Sequence, residues 1–284
     1  MASPAEPVMW DARAAASWIA VPGTDDDKYS RGVLGVITGS EAYPGAAVLS
    51  VEAAARTGLG MIRYIGPTEP TRLVLDRRPE VVVQTGQVQA FLIGSGIDPT
   101  HVDSRQAPEI EVALGGRAPV VLDAGMLERA TLAQGPCVIT PHARELARLL
   151  SSRDIDADDR SVTRAPDAWI TRAADELGVT VLLKGALTHV ATPANARGER
   201  FHAVVPSHTH WMASAGTGDV LAGILGALVA THSDALTLDS DVLGPLAATA
   251  AFIHAHAGER ASDGGPLVAL DVAEAIPSVI ASLL

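Results

Sequence analysis

The chain has 284 residues, 48% of them hydrophobic, with 26 Gly, 18 Pro and one cysteine, a size that suits one large α/β unit with a substantial core. Asp and Glu number 33 against 21 Lys and Arg, a formal charge of −12, which repels polyanions and makes a nucleic-acid partner unexpected. A single thiol, Cys137, excludes an internal disulfide and a Cys-based zinc site.

The first 27 residues are rich in Ala and Pro and end in Asp25-Asp26-Asp27; they read as a lead-in that hugs the surface. Val33–Ile37 is a short apolar run, the pattern of a strand buried on both faces. Pro44–Thr57 is Ala-rich and helical, with Pro in its first turn and Gly58 at its end. Further strands are expected at 61–65, 81–83, 91–93, Val120–Leu122, 138–139, Thr180–Leu183 and Leu187–Ala191, and 201–205 reads as an antiparallel addition. Helices are expected at 142–150, Pro166–Leu177, Thr217–Thr231, 243–257 and 272–283. Alternation of strand and helix implies a mostly parallel central sheet with helices on both faces. No internal repeat or linker is evident, so residues 1–284 read as a single domain. The longest apolar stretch, 220–230, is too short to span a bilayer. The apolar start at 14–21 lacks the basic lead of a secretory signal, so a cytoplasmic location is expected.

In such sheets ligands bind beyond the carboxyl ends of the strands. The turns that fall there are Gly39-Ser40, Gly94-Ser95-Gly96, Asp123-Ala124-Gly125, Thr140-Pro141-His142 and Lys184-Gly185. The most informative run is Ala215-Gly216-Thr217-Gly218-Asp219-Val220-Leu221-Ala222-Gly223. It reads as a tight turn feeding a helix N-terminus, where unpaired amides and the helix dipole attract an anion. Asp219 beside such a site points to proton chemistry, to a metal that it faces, or to a plain N-terminal cap. An ordinary Asp has a pKa of about 3.9, too low for a base acting on an alcohol. The helix N-terminus lowers it further and burial raises it, and the sequence leaves that balance open.

Lys184 follows the apolar Thr180–Leu183 strand directly. An ammonium there needs an anion or the open rim of the sheet; with Gly185 and Thr188 it suits a nucleotide phosphate, and a rim lysine that snorkels to solvent is the alternative. His142 and Glu145 stand three apart at a helix start, which fits a capping pair as well as a pair of functional groups. The nine histidines show no three-ligand spacing for a transition metal, and the phosphate loop of the G-x-x-x-x-G-K-[ST] type is absent.

Several separated segments agree in order: Tyr43-Pro44-Gly45-Ala46-Ala47, Ile93-Gly94-Ser95-Gly96, Val121-Leu122-Asp123-Ala124, Thr140-Pro141-His142 with Glu145, Leu183-Lys184-Gly185-Ala186 with Thr188, and the Gly216–Gly223 run. Together, from about residue 28 to the C-terminus, they closely resemble the ADP-dependent NAD(P)H-hydrate dehydratase family of the ribokinase-like superfamily. The resemblance implies a ribokinase-like α/β fold and dehydration of the S-epimer of NADH hydrate (NADHX) and NADPH hydrate (NADPHX). ADP is the implied phosphoryl donor, Mg2+ the implied cofactor, and AMP and phosphate the implied by-products. Ala46, Gly96, His142 and Asp219 would then contact the hydrated dinucleotide, with Asp219 catalytic. Lys184, Gly185, Ala186, Leu187, Thr188, Gly216, Thr217 and Gly218 would hold the adenine nucleotide. Glu145 would hold Mg2+ through water, and a homo-oligomer, a tetramer, is expected. Three departures stand out: Gly125 where the family has an acidic residue, Arg144 where it has Gly, and no third glycine after Ile93. The alternatives are an ATP-dependent small-molecule kinase of the same superfamily and a non-catalytic nucleotide sensor.

Overall fold

The computed structural model describes residues 6–284. Nine strands form one sheet: β1 (Val8–Met9), β2 (Val33–Ile37), β3 (Met61–Tyr64), β4 (Ala90–Ile93), β5 (Val120–Leu122), β6 (Cys137–Ile139), β7 (Thr180–Leu183), β8 (Leu187–Ala191) and β9 (His202–Pro206). Their spatial order is β1-β9-β8-β7-β6-β5-β4-β2-β3. Every pairing from β7 through β3 is parallel, and only β8 runs against its neighbours. The expected architecture is therefore present; the strand expected near residue 201 pairs antiparallel with β8, and β8 is the strand that runs against the rest of the sheet.

The central strands are short and apolar throughout because both faces are covered. On one face pack the helices Pro44–Thr57, Thr217–Thr231, Leu243–Ser262 and Ala269–Leu283; on the other lie Gln106–Gly115, Ala143–Ser151, Asp159–Arg164 and Pro166–Leu177. A 3-10 segment, Ala124–Leu132, follows β5 on that second face.

Two expectations change. The strand expected at 81–83 is one parallel bridge, Val82 to Arg63. Val82 exchanges backbone bonds with Ile62 and Tyr64, but Val83 is exposed and the ladder ends there. The lead-in is also more than a surface strap. Val8–Met9 pairs in parallel with β9, and Trp10 is buried with its indole N–H donating to Thr249 Oγ1 at 3.2 Å.

The helix Thr217–Thr231 is buried along nearly its whole length. Its small residues let it approach the Pro44–Thr57 helix backbone to backbone. A Cβ at Gly223 would collide with the Ser50 carbonyl oxygen and lie 2.8 Å from Ala53 Cβ. This contact sets where the N-terminus of Thr217–Thr231 emerges at the sheet rim. Gly223→Ala is therefore expected to force the helices apart, with a loss on the order of 1–3 kcal/mol typical of overpacking despite the gain in helix propensity. Denaturant melts with an unchanged m-value check this.

Candidate active site

The carboxyl ends of β4, β5, β6 and β7 deliver Ser95, Asp123, Thr140 and Lys184 to one place. Asp123 is buried, and each of its oxygens is engaged. Oδ1 accepts from Thr140 Oγ1 at 2.7 Å and from Lys184 Nζ at 2.9 Å; Oδ2 accepts from Ser95 Oγ at 2.8 Å. Burial alone would raise the Asp123 pKa, but the Lys184 ammonium and the hydroxyl donors hold it below its ordinary value. Lys184 loses hydration by burial, yet the Asp123 and Glu145 carboxylates keep its pKa raised and the side chain charged. Glu145 Oε2 stands 3.9 Å from the ammonium.

The Ala143–Ser151 helix starts with a complete capping box. His142 Nδ1 accepts from the Glu145 amide at 3.2 Å, and Glu145 Oε2 accepts from the His142 amide at 2.8 Å. The structural role foreseen for this pair is thus realised. It also fixes Glu145 beside Lys184, with Oε1 left outside the cap. Arg144 is exposed.

Gly216 caps Thr217–Thr231 with φ of 90°, a left-handed conformation at which a Cβ would also strike Leu49. The turn it makes divides two cavities. The first, about 490 Å³, is lined by His142, Lys184, Gly185, Ala186, Thr188, Thr217 and Gly218, with His254 and Leu221 behind. The second, about 790 Å³, is lined by Tyr43, Ala46, Gly96, Asp98, Gly216 and Asp219. Both volumes suit small-molecule ligands. A larger cavity of about 1180 Å³ opens near Gly135, Val179 and Thr192, at the opposite ends of the strands and away from this chemistry.

The structure therefore gathers most of the expected nucleotide residues on one side of the turn and most of the expected dinucleotide residues on the other. A Cβ at Gly96 would sit 2.7 Å from Ala46 Cβ, so these two form one wall. His142 falls on the Lys184 side, across the turn from Ala46 and Gly96. Leu187 is 40% exposed and lies outside the lining of either cavity. Gly125 has a packing reason: a side chain there would collide with the Ile97 carbonyl and push away the loop that carries Gly96.

Asp219 is the third residue of its helix and has a pKa raised to about 6. Burial is the main cause and the Asp123 charge adds to it, against Lys184 and Ser95, which lower it. Sequence reasoning passed over three contributors. Asp123 and Ser95 were noticed as turn residues without a role. His254 lies buried behind the turn; its neutral ring donates Nε2–H to the Thr217 carbonyl at 2.8 Å, and burial pushes its pKa down to about 4. A carboxylate directly after a wholly apolar strand was the available signal for Asp123.

Solved structures share this fold. The dehydratase of Bacillus subtilis described as ADP/ATP-dependent and co-crystallised with ATP/Mg2+ superposes with a TM-score of 0.84 at 22% identity, covering 99% of this chain and all of that one. A ribokinase-like superfamily protein of Enterococcus faecalis gives 0.77 at 21%, covering 100% of this chain and 98% of that one. These likenesses define a ribokinase-like α/β protein. The family model described as NAD(P)H-hydrate dehydratase matches residues 34–278, and the chain belongs to that family. The ADP-dependent (S)-NAD(P)H-hydrate dehydratase of Xanthomonas campestris is 30% identical, over 84% of both chains. The bifunctional NAD(P)H-hydrate repair enzyme Nnr of Mycobacterium tuberculosis is 41% identical over 76% of this chain. The chain spans about half the length of the bifunctional relatives it matches, 44% of this one and 50% of that of Mycobacterium leprae.

Asp219 has a folded pKa of about 6 against an unfolded value near 3.8. A raised acid contributes its full stability below the unfolded pKa and loses it as pH rises through the folded one. Asp219→Asn should therefore stabilise the fold at pH 8, on the order of 2–3 kcal/mol. The gain should shrink between pH 6 and pH 4, as followed by chemical denaturation across pH.

Proposed function

We propose that the chain is an ADP-dependent dehydratase of NADH hydrate and NADPH hydrate, acting on the S-epimer. The observation that carries this reading is the single turn between two cavities, with amides and Lys184 on one side and a raised-pKa carboxylate on the other. The adenine nucleotide occupies the Lys184–Thr188 side, and the hydrated ring lies against Ala46, Gly96 and Asp219. His142, beside Lys184, meets the dinucleotide only where the two ligands abut.

In the first step the hydroxyl oxygen of the hydrate attacks the terminal phosphorus of ADP, and the bond to the bridging oxygen breaks to release AMP. Asp219 takes the hydroxyl proton. A carboxylate with a pKa near 6 is ionised at neutral pH yet basic enough to accept a proton as the new bond forms. The Gly216–Gly218 amides and Lys184 steady the transferred phosphoryl group, for which positioning and charge stabilisation are the main demands. In the second step the ring nitrogen's electron pair expels phosphate, and loss of a ring proton restores the double bond of the reduced nicotinamide.

Mg2+ prefers hard oxygen donors and retains its waters, so Glu145, half-committed to the helix cap and close to Lys184, suits a water-mediated hold beside the phosphates. When bound, Mg2+ neutralises phosphate charge. The family resemblance supports a cytoplasmic, homotetrameric enzyme, with residues 1–284 acting as one unit. Among the described residues no helix is long and apolar enough to cross a membrane.

The direct test incubates the protein with NADH hydrate, Mg2+ and ADP and follows the near-ultraviolet absorbance of NADH. Its return, with AMP and phosphate as products, supports the proposal; a stable phosphorylated product would identify a kinase instead. Asp219→Asn is expected to bind ADP nearly as well by calorimetry while kcat falls by about 100-fold or more, the usual scale of a lost general base. In the wild type, kcat/KM should fall as pH drops below about 6. Lys184→Ala should weaken ADP binding by calorimetry. It should also move the pH midpoint upward, because the Lys184 charge is one of the two influences, with Ser95, that lower the Asp219 pKa.

A further inference from the structure

Asp167, His189 and His202 meet outside both cavities, on the sheet face covered by the Pro166–Leu177 helix. In the β8–β9 register His189 lies opposite Val204 and Ala191 opposite His202, so the two histidines are diagonal neighbours on one face of the antiparallel pair. Asp167, in the first turn of the helix, is set above them. His189 Nδ1 is 2.9 Å and His202 Nε2 3.1 Å from the same oxygen, Asp167 Oδ1. The three ligand atoms lie within 4.8 Å of one another.

A simple polar tie accounts for half of this. His189 Nδ1 and Asp167 Oδ1 form a hydrogen bond. His202 Nε2, on a side chain 4% exposed, stands 3.1 Å from that oxygen without hydrogen-bond geometry, and among the described residues it has no other partner. A buried, unpartnered ring nitrogen is costly, and native proteins seldom leave one without a reason. Asp167 is half exposed and opens the cluster to solvent.

We propose that Asp167, His189 and His202 bind one divalent transition-metal ion, with Zn2+ the best match, each residue giving one ligand atom. Two imidazoles and a carboxylate are a standard N/O donor set for Zn2+, with water completing the coordination on the open side. The ion would join the helix start to two strands. His189 directly follows Thr188, a residue of the Lys184 cavity, so the clamp would also tension the strand that leaves the nucleotide side.

The test strips the protein with a chelator, then titrates Zn2+ in competition with a chromogenic chelator and repeats thermal melts with and without Zn2+. One equivalent should bind and raise Tm. Asp167→Ala, which changes an exposed side chain, should weaken Zn2+ by about 100-fold or more, beyond the cost of losing an outer-shell partner, and abolish the rise in Tm. His202→Gln should do the same. A second group, His208, His256 and Glu259, has its ligand atoms equally close but is more exposed; His256→Ala should leave the tight equivalent intact. Absence of Zn2+ uptake, or uptake lost in His256→Ala and unmoved by Asp167→Ala, overturns the proposal.

Discussion

The site depends on one buried ion pair. Lys184 and Asp123 emerge from strands that are not sheet neighbours, since β6 lies between β5 and β7. The ammonium closes that gap at 2.9 Å, while Thr140 from the intervening strand donates to the same carboxylate. A pair taken this far out of water stabilises little by itself, because desolvation offsets attraction. Its value lies in what it fixes: three strand ends are tied together, and two charges of opposite sign are set beside Asp219 with opposed effects on its proton affinity. The neighbouring carboxylate and the burial win over the ammonium, which is why Asp219 ends above, not below, its ordinary value despite its place at a helix N-terminus.

The helix that carries Asp219 is positioned by packing, not by its own cap. Gly216 has no side chain to bond the first amides; Thr217 N–H reaches the Ser214 carbonyl at 3.5 Å, and the Gly218 and Asp219 amides remain available at the cavity. The helix is held instead by close contact with Pro44–Thr57, by its buried length, and by His254 gripping the Thr217 carbonyl from behind. The contrast with His142 is instructive. There the capping box engages the His142 and Glu145 amides, and the local geometry serves to hold Glu145 beside Lys184.

Much of this was legible in the sequence, for physical reasons that also mark its limits. Strands β2, β5, β7 and β8 and the helices Pro44–Thr57, Pro166–Leu177 and Thr217–Thr231 have the bounds their patterns indicate, because burial on both faces, or Pro and Gly at the ends, leaves an unambiguous signal. The edges were harder. Val8–Met9 is two exposed residues whose strand character comes only from β9, and Thr68–Arg77 buries little beyond Pro70 and Val74. Lys184 and the Gly216–Asp219 turn announced themselves by following apolar runs or interrupting them. The Asp123 bonds to Lys184 and to Ser95 span 61 and 28 residues, a separation no local pattern records. Likewise, no spacing rule could place His142 on the Lys184 side of the turn, since the cap sets the direction of that ring.

For a chain of net charge −12 to take up the phosphorylated ligands proposed for it, positive potential has to be created locally. At physiological ionic strength the screening length is about 8 Å, so acids scattered over the surface matter less at the turn than the groups that line it. What lines it is the Lys184 ammonium and the amides of the turn on one side, and the carboxylates of Asp219 and Asp98 on the other. If Asp219 were fully ionised at all times, it would oppose the anion hole a residue or two away. In the reaction proposed above, a carboxylate with a pKa near 6 is ionised at neutral pH and is neutralised when it receives the hydroxyl proton, so the conflict would last only until transfer. Repulsion toward an incoming phosphate is then greatest before transfer and smallest after it. Burial that would be a defect at a purely structural aspartate would therefore work in the direction of the proposed reaction.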